Sequence, residues 1–395
     1  MSIAILYERS ETDEVGIKLT AEELGINLVY IPFRKISIRV DEGGYSVRSH
    51  GKSYSKVIEN ADVILNRAQS KNRRLFAANI LEAFGKYVIN PSCIEYICFS
   101  KLRTLLFLWK DGIKTPRTVY VPCDPHESKT DGSKIHNEED IADLIQQELG
   151  DGNIVIKPDA GTHGNKVQRA NSREDLSTIL GEIESSIVNP VGVLAQELVE
   201  KWFYDLRIVV AKESGKAPYC YPKALARAGF KDFRTNTYLG NMVFGVNLPP
   251  YIRDIAVKCG EAIGKNNEAW VLAFDAMLDI GDDKIVNDEY IKSELEKLVP
   301  FFNAIKEVKS ERTKKRDFLG WNKRLEEAFQ NYMNSEAYEN IRKIIEESVE
   351  RRKYNILFHE ANSCPEFWEQ TRLVAGINLA VHLLRCAQSV IESNH

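Results

Sequence analysis

Short apolar runs alternate with amphipathic stretches over residues 1–90. The candidate strands, which are rich in Ile, Val, Leu and Tyr, lie at 3–7, 27–31, 62–66 and 87–90. The helical segment between the first two strands ends at Leu24-Gly25, and glycine is common just after a helix. Strands that alternate with helices predict a parallel βαβ domain over residues 1–90.

The pattern changes after Asn90-Pro91-Ser92, where polar loops separate further strands and helices. Helical periodicity predicts helices at 98–111, 138–149, 173–187 and 371–392. Apolar runs predict strands at 117–121, 153–157, 193–198, 205–212, 218–225, 271–277 and 356–362. A charge-rich stretch of helical character separates the last two strands. We interpret it as a solvated helical insertion over residues 281–353.

Composition and charge exclude several classes of protein. The chain has 395 residues, of which 44% are hydrophobic and 28% charged, as in ordinary globular proteins. Its formal net charge of −4 gives no general attraction to nucleic acid or membranes, and the basic run 312–316 is interpreted as a solvated surface. No apolar stretch reaches the roughly 18 residues of a membrane span. An N-terminus without a basic region and cysteines without Cys-x-x-Cys spacing favour a reduced, cytoplasmic protein.

Candidate chemistry begins with Glu360 and Asn362 on the last predicted strand. Side chains two positions apart on a strand face the same way, so a carboxylate and an amide oxygen project together. Mg²⁺ accepts such ligands together with phosphate oxygens and water, although a Glu-x-Asn alone is common on exposed strand faces. Asp275 lies on the preceding predicted strand, and Lys157 ends the apolar run 153–157. A lysine followed by two acidic strands points to ATP bound with a metal ion.

The order of these motifs resembles the ATP-grasp superfamily and, within it, the RimK-type peptide ligases. The resemblance covers most of residues 60–276 and 355–390. The matching segments are Asn66-Arg67, Ile89-Asn90, Ser100-Lys101, Gly112-Ile-Lys-Thr-Pro116, Ile154-Val-Ile-Lys-Pro158, Gly161-Thr-His-Gly164, Gln196-Glu197, Asp205-Leu-Arg207 and Asp232-Phe-Arg-Thr-Asn236. In the family the two metal-binding strands are close in sequence, whereas the predicted insertion separates them here.

The resemblance implies the ATP-grasp fold, a mixed α/β fold of α+β type. Residues 1–90 would form the parallel βαβ domain that precedes the ATP-grasp domains. Residues 91–192 would form the small central domain, which acts as a lid. Residues 193–395 would form a C-terminal domain that has an antiparallel sheet and carries the helical insertion. ATP would be held between two antiparallel sheets.

The resemblance also implies residues that contact ATP. These residues are Lys101, Lys157, Gly161, Thr162, His163, Gly164, Gln196, Glu197, Leu198, Val199, Asp205 and Arg207. Catalytic roles near the γ-phosphate are implied for Arg234 and Asn236, where Arg234 would stabilise the transferring phosphoryl group. An ion pair between Asp205 and Arg207 is an open alternative to a nucleotide contact. Regular alternation predicts that His359 faces away from the metal ligands and packs.

Metal and substrate contacts complete the implied site. Asp275, Glu360 and Asn362 would hold one or two Mg²⁺ ions, with Mn²⁺ as an alternative. Substrate contacts are assigned to Asn66, Arg67, Trp368 and Arg372. Packing for Trp368 and an exposed charge for Arg372 are open alternatives.

The implied activity is that of an ATP-dependent carboxylate–amine ligase. A substrate carboxylate would attack the γ-phosphate of ATP to give an acylphosphate and ADP, and an amine would then form the amide. The substrates would be an amino acid and a peptide, a protein tail or an amino-acid-derived metabolite, with no nucleic-acid or membrane partner and a homo-oligomeric assembly. Two alternatives stay open, a dipeptide ligase of the D-alanine–D-alanine type and a regulatory protein that binds ATP without chemistry.

Overall fold

The computed structural model describes most of the chain. The described residues are 2–9, 11–161, 166–186, 192–235, 240–311 and 316–393. Some of the predicted site residues lie outside these ranges, namely Thr162, His163, Gly164 and Asn236.

The secondary-structure elements are numbered in chain order. The strands are β1 Ile3–Tyr7, β2 Leu28–Pro32, β3 Ser37–Asp41, β4 Gly44–Ser49, β5 Lys52–Ser53, β6 Val63–Arg67, β7 Tyr87–Ile89, β8 Thr118–Val121, β9 Ile154–Lys157, β10 Gln168–Ala170, β11 Val193–Glu197, β12 Tyr204–Lys212, β13 Tyr219–Cys220, β14 Lys223–Ala228, β15 Met242–Asn247, β16 Trp270–Leu278 and β17 Ile356–Asn362. The helices are α1 Thr12–Glu23, α2 Ser55–Asn60, α3 Lys71–Ala83, α4 Ser92–Phe99, α5 Lys101–Lys110, α6 Glu138–Leu149, α7 Arg173–Gly181, α8 Pro250–Gly264, α9 Asp288–Ser310, α10 Phe318–Met333, α11 Glu336–Arg352, α12 Thr371–Val374 and α13 Leu379–Ser393. Short 3-10 turns cover Phe33–Lys35 and Lys353–Asn355. Among the described residues, no helix combines the length and the apolar character needed to cross a membrane.

The first sheet is parallel and has the strand order β2-β1-β6-β7. β1 pairs in parallel with β2 and β6, and β6 pairs in parallel with β7. This topology confirms the predicted βαβ arrangement. A small antiparallel sheet, β3-β4-β5, follows β2 and is absent from the sequence prediction. Its first strand is almost wholly exposed, so it lacks the apolar alternation that marks a half-buried strand.

Two antiparallel sheets lie further along the chain. The smaller sheet has the order β10-β9-β11-β8, and the larger has the order β15-β14-β12-β16-β17, with β13 beside β12. Large aromatic side chains fill the core beside the larger sheet, namely Phe244, Trp270, Phe274 and Phe358. One parallel sheet followed by antiparallel sheets is the mixed α/β architecture that the sequence predicts.

Helix α1 packs directly against the loop that follows β17. The Asp13 carboxylate accepts hydrogen bonds from the backbone N–H groups of Phe367 and Trp368 at 3.2 and 2.9 Å. Arg67, at the end of β6, donates to Asp13 at 3.0 Å. The Trp368 ring lies so close to Gly16 that a β-carbon on Gly16 would overlap it. These contacts fix the first sheet relative to β17.

Helices α9, α10 and α11 occupy the predicted insertion, and α10 and α11 contact β15. The Tyr332 hydroxyl donates to the carbonyl of Val243 at 3.1 Å, and the Tyr338 hydroxyl accepts from the amide of Gly245 at 2.9 Å. Both tyrosines belong to the same hydrophobic core as the larger sheet. The insertion is therefore continuous with the core and is more than a solvated surface.

Candidate active site

The adjacent strands β16 and β17 bring the predicted metal ligands to one face. Asp275 lies opposite Glu360, and Ala273 lies opposite Asn362. Directly opposed β-carbons in an antiparallel pair are about 5 Å apart, so the two carboxylates are neighbours. Asn362 follows Glu360 by two positions and shares its face. The structure thus groups the three oxygen-bearing side chains that the sequence singles out.

Two arginines hold Asp275. Arg207, on β12, donates to its two carboxylate oxygens at 2.9 and 3.0 Å. Arg227, on β14, lies 3.3 Å from the same carboxylate and donates to Asp205 at 2.6 Å. Burial alone would raise the pKa of Asp275, but the two guanidinium groups outweigh burial and hold this pKa far below its usual range. Asp205 and Arg207 therefore pair across strands rather than with each other.

Glu360 lies in the positive field of two lysines. The ammonium of Lys71, the first residue of α3, is 3.4 Å from Glu360 Oε1. Burial alone would raise the pKa of Glu360, but the charges of Lys101 and Lys71 outweigh it and lower the pKa. The carboxylate is therefore ionised at neutral pH, and the cations around it also suit phosphate groups.

Lys101 fixes the start of the glycine-containing loop. Its ammonium donates to the carbonyls of Pro158, Asp159 and Gly161 at 3.1, 3.3 and 2.8 Å. The Ser100 hydroxyl donates to the Asp159 carboxylate at 2.8 Å. An ammonium group has three donor hydrogens, so these carbonyls use all of them. To contact a phosphate, Lys101 would have to replace one of these three hydrogen bonds to a carbonyl with a hydrogen bond to a phosphate oxygen.

Lys157 and Gln196 lie together on the adjacent strands β9 and β11. The Lys157 ammonium donates to the side-chain carbonyl of Gln196, whose amide group donates to the Thr118 hydroxyl at 2.8 Å. Burial and the charge of Lys101 lower the pKa of Lys157 to about 8, and burial lowers the pKa of Lys201 to the same value. Both lysines lie where additional negative charge would be favourable.

The segment 196–199 leads from β11 towards β12. The Leu198 amide donates to the carbonyl of Asn153 at 3.0 Å. The Glu197 carboxylate accepts from the amide of Arg117 at 2.8 Å. These bonds fix the backbone, which is what a main-chain contact to adenine requires, and that contact stays a prediction.

Arg234 is turned towards its own loop. Its guanidinium forms two hydrogen bonds to the Asp232 carboxylate, at 2.9 and 2.7 Å. The neighbouring Thr235 hydroxyl bonds to the Asp205 carboxylate and accepts from Lys201 at 2.6 Å. The loop is thereby tied to β12. A role for Arg234 at the γ-phosphate stays a prediction, and it requires the guanidinium to share or leave Asp232.

The predicted substrate residues make internal contacts, and these residues are Asn66, Arg67, Trp368 and Arg372. Only 4% of Arg67 and 5% of Trp368 are exposed. Arg372 donates to Glu326 and Asn322 of α10, both at 2.8 Å. Trp368 therefore packs, and Arg372 forms an ion pair with the insertion. Direct contact of either residue with a substrate stays a prediction.

The cluster also contains charged or titratable residues that the sequence analysis does not assign to the site, namely Lys71, Lys201, Arg227 and His359. Lys71 follows the carboxyl end of β6, and open parallel sheets bind ligands at the carboxyl ends of their strands. That rule could have identified Lys71 from the sequence. Arg227 depends on the pairing of β14 with β12, which no local pattern reveals.

His359 lies at a β-bulge in the pairing of β17 with β16. Asp275 pairs with Glu360 but Ala276 pairs with Phe358, so His359 has no partner on β16. A bulge interrupts the regular alternation on which its predicted direction depends. Burial lowers the pKa of His359 to about 4, so its ring is neutral at physiological pH.

The residues present fit a metal ion that arrives with a nucleotide. Within the described part of the chain, no three His, Cys, Asp or Glu side chains are close enough to hold a metal ion by themselves. Mg²⁺ commonly takes one or two carboxylates and completes its shell with phosphate oxygens and water. The buried Nδ2 of Asn362 and Nε2 of His359 have no hydrogen-bond partner among the described residues. Such buried polar atoms are expected to find partners when a ligand binds.

Sequence comparison relates the chain to one family of ligases. The sequence profile of the RimK-like ATP-grasp domain matches residues 100–297. The alpha-aminoadipate–LysW ligase LysX of Sulfolobus acidocaldarius is 30% identical over 222 residues, which cover 56% of this chain and 71% of the relative. A coenzyme gamma-F420-2:alpha-L-glutamate ligase of Methanocaldococcus jannaschii is 28% identical over 203 residues, which cover 50% of this chain and 60% of the relative.

Structural comparison supports the same fold over the whole chain. The macrocyclase MdnC of Microcystis aeruginosa, solved with its precursor peptide MdnA, superposes with a TM-score of 0.52. The superposition covers 100% of both chains at 12% sequence identity. At that identity the similarity shows the fold alone.

Proposed function

Because the chain belongs to the RimK-like ATP-grasp family and is an ATP-dependent ligase that forms C–N bonds, we propose that it joins an amino acid to a peptide, a protein tail or an amino-acid-derived metabolite. Relatives are named as ligases that act on LysW and on coenzyme F420. One observation supports the proposal most strongly. Glu360, which pairs with Asp275 across adjacent strands, lies among the buried lysines Lys71 and Lys101, as a site for a polyphosphate and its metal ion requires.

We assign two steps to this site. A donor carboxylate oxygen attacks the γ-phosphorus of ATP, the bond to the β-phosphate oxygen breaks, and ADP leaves. The neutral amine of the acceptor then attacks the acyl carbon, inorganic phosphate leaves, and the nitrogen loses a proton to solvent. The protein holds the reactants together and excludes water, which would otherwise hydrolyse the acylphosphate.

The roles of the residues follow from their charges. Lys157 and Lys71 would neutralise phosphate oxygens, and Arg234 would stabilise the charge that spreads over the transferring group. Asp275 and Glu360, with Asn362, would hold Mg²⁺, which when bound would neutralise part of the phosphate charge. The Arg207 and Arg227 guanidinium groups would orient the Asp275 carboxylate.

The pKa of Lys157 predicts how nucleotide affinity depends on pH. A lysine whose pKa is lowered to about 8 carries its charge below that pH and loses it above. The phosphate oxygens of ATP are already ionised in that range. The affinity for MgATP, measured by calorimetry from pH 7 to pH 9.5, is therefore expected to fall above pH 8, by at most about tenfold per pH unit for one group.

Lys157→Arg provides the matched variant, because arginine keeps its charge throughout this range. We expect it to flatten the decline, and only in part, since Lys201 titrates near the same pH. The exposed Lys258 lies on α8, and Lys258→Arg should follow the wild-type curve. A Lys157→Arg curve that coincides with the wild type would assign the pH dependence to another group.

The proposed activity is tested by phosphate release from MgATP across a panel of amino acids and short peptides, offered singly and in pairs. We expect release only with a particular pair, together with an amide product detected by mass spectrometry. Release with D-alanine alone would instead identify a dipeptide ligase of the D-alanine–D-alanine type. ATP binding without release, for every pair and for peptide acceptors, would contradict the proposal and favour a regulatory protein.

A further inference from the structure

A groove runs between helix α3 and the 3-10 turn Phe33–Lys35. It encloses about 270 Å³ and is lined by Phe33, Arg34, Asn72, Arg73, Phe76 and Ile80, which together define what we call the arginine groove. Phe76 is 68% exposed, so its ring is accessible to a ligand in the groove. A ring displayed beside a concave surface is typical of a binding site.

The charges around the arginine groove are mostly positive. Arg34 and Lys35 are exposed on one wall. Arg73 stands on the other wall, and it belongs to the first turn of α3, which carries no acidic residue. Cations at a helix N-terminus oppose the helix dipole, so this arrangement disfavours the helix unless an anion is nearby.

The three cations in the first turn of α3, Lys71, Arg73 and Arg74, each have a carboxylate partner. Arg74 is buried with Glu95 at 2.7 Å. Arg73 lies 2.7 Å from Glu8, but 51% of its side chain remains exposed on the groove wall. The exposed Arg34 and the half-exposed Arg73 therefore give the groove its positive surface, and Phe33 and Phe76 line the same groove.

The arginine groove begins beside the active site. Lys71, which lies 3.4 Å from Glu360, directly precedes Asn72 and Arg73 of the groove. The groove also lies at the carboxyl ends of β2 and β6, where open parallel sheets bind ligands. From Asn72 to Ile80 it extends about 12 Å along α3, which matches about four residues of extended chain.

We propose that the arginine groove binds an acidic peptide segment of the substrate and leads its reacting end to Glu360. This inference rests on the proposed ligase function and names the chemistry of one substrate. Arg34 and Arg73 would bind carboxylates through their two-pronged guanidinium geometry. The Phe33 and Phe76 rings would cover the methylene groups and backbone between those carboxylates.

The probe for this site is fluorescein-labelled hexaglutamate, whose binding to the full chain is followed by fluorescence anisotropy. We expect saturable binding of hexaglutamate and none of hexaglutamine or hexalysine at the same concentrations. Arg34→Glu should weaken binding at least tenfold, and Phe76→Ala should weaken it severalfold. Lys258→Glu makes the same change of charge on α8, away from the groove, and should leave the affinity unchanged.

Other outcomes overturn the inference. Equal affinity for a labelled oligothymidylate would show a surface for any polyanion rather than for an acidic peptide. Equal weakening by Arg34→Glu and Lys258→Glu would show a general charge effect. If Arg34→Glu is poorly folded by circular dichroism, Arg34→Gln replaces it, and unchanged binding by that variant would equally reject the groove.

The ligase proposal and the groove proposal can be contradicted independently of each other. Binding of hexaglutamate needs no turnover, and Glu360→Gln should retain it. A chain that binds hexaglutamate through Arg34 but forms no amide with any pair of substrates would support the groove and contradict the ligase proposal. If the chain forms amides but wild type and Arg34→Glu have the same KM for acidic peptides, the result would support the ligase proposal and contradict the groove.

Discussion

Glu360→Gln is expected to lower the rate of ADP formation by about 100-fold or more, the usual effect of removing one group that stabilises charge in a transition state. The carboxylate faces Asp275 across two strands and lies 3.4 Å from Lys71. Glutamine keeps its shape but removes the charge that a metal ion would need. The loss should therefore appear in kcat, measured with saturating MgATP and the substrates that the panel identifies.

Glu369→Gln is the matched control for this change. Glu369 follows in the same segment of chain and pairs with Lys309 at 2.8 Å on a partly exposed surface. Its replacement should alter kcat less than about twofold, as expected for an exposed ion pair. Both variants should unfold within a few degrees of the wild type. Wild-type turnover by Glu360→Gln would reject Glu360 as a metal ligand.

Gly16→Ala is expected to destabilise the protein by about 2 kcal/mol. Within a helix, alanine is favoured over glycine by about 1 kcal/mol. Here the added β-carbon would overlap the Trp368 ring, and overpacking of this kind costs about 3 kcal/mol. The second effect exceeds the first, so the free energy of unfolding measured in urea should fall.

Gly181→Ala tests the same substitution where space is available. Gly181 is also helical, and its β-carbon would meet only the Glu138 side chain, at an ordinary distance of 3.7 Å. That variant should be neutral or slightly stabilised, so only Gly16→Ala should lower the unfolding midpoint. A stabilised Gly16→Ala variant would mean that Trp368 can move away, and with it the contact between α1 and the loop after β17.

The sequence predicted helices and strands best where the residues that start and end them lie within the element itself or directly beside it. The predicted helix at 138–149 coincides with α6, where Asn137 and Asp140 form a capping box. The predicted helix at 371–392 is divided in two, because Gly376 adopts a positive φ of 72° between α12 and α13. An apolar stripe continues across such a break, so periodicity alone does not reveal it.

The sequence predicts those features of the site that depend on the residue pattern within a single strand. Alternation along β17 placed Glu360 and Asn362 on one face, and the pairing of β17 with β16 brings Asp275, which the sequence also singles out, beside them. The guanidinium groups on Asp275 come from β12 and β14, and register between distant strands is set by the whole core. The bulge at His359 likewise arises from pairing rather than from any residue pattern.

The tyrosine contacts of the insertion have a consequence for any attempt to shorten the chain. β15 ends the larger sheet, and two of its outer backbone groups, the Val243 carbonyl and the Gly245 amide, are satisfied by Tyr332 and Tyr338. Without α9, α10 and α11, those groups would form an open template for strands of other molecules. A shortened chain that keeps every residue of the active site would then self-associate through β15, so the helices protect the protein against aggregation as well as enlarging its core.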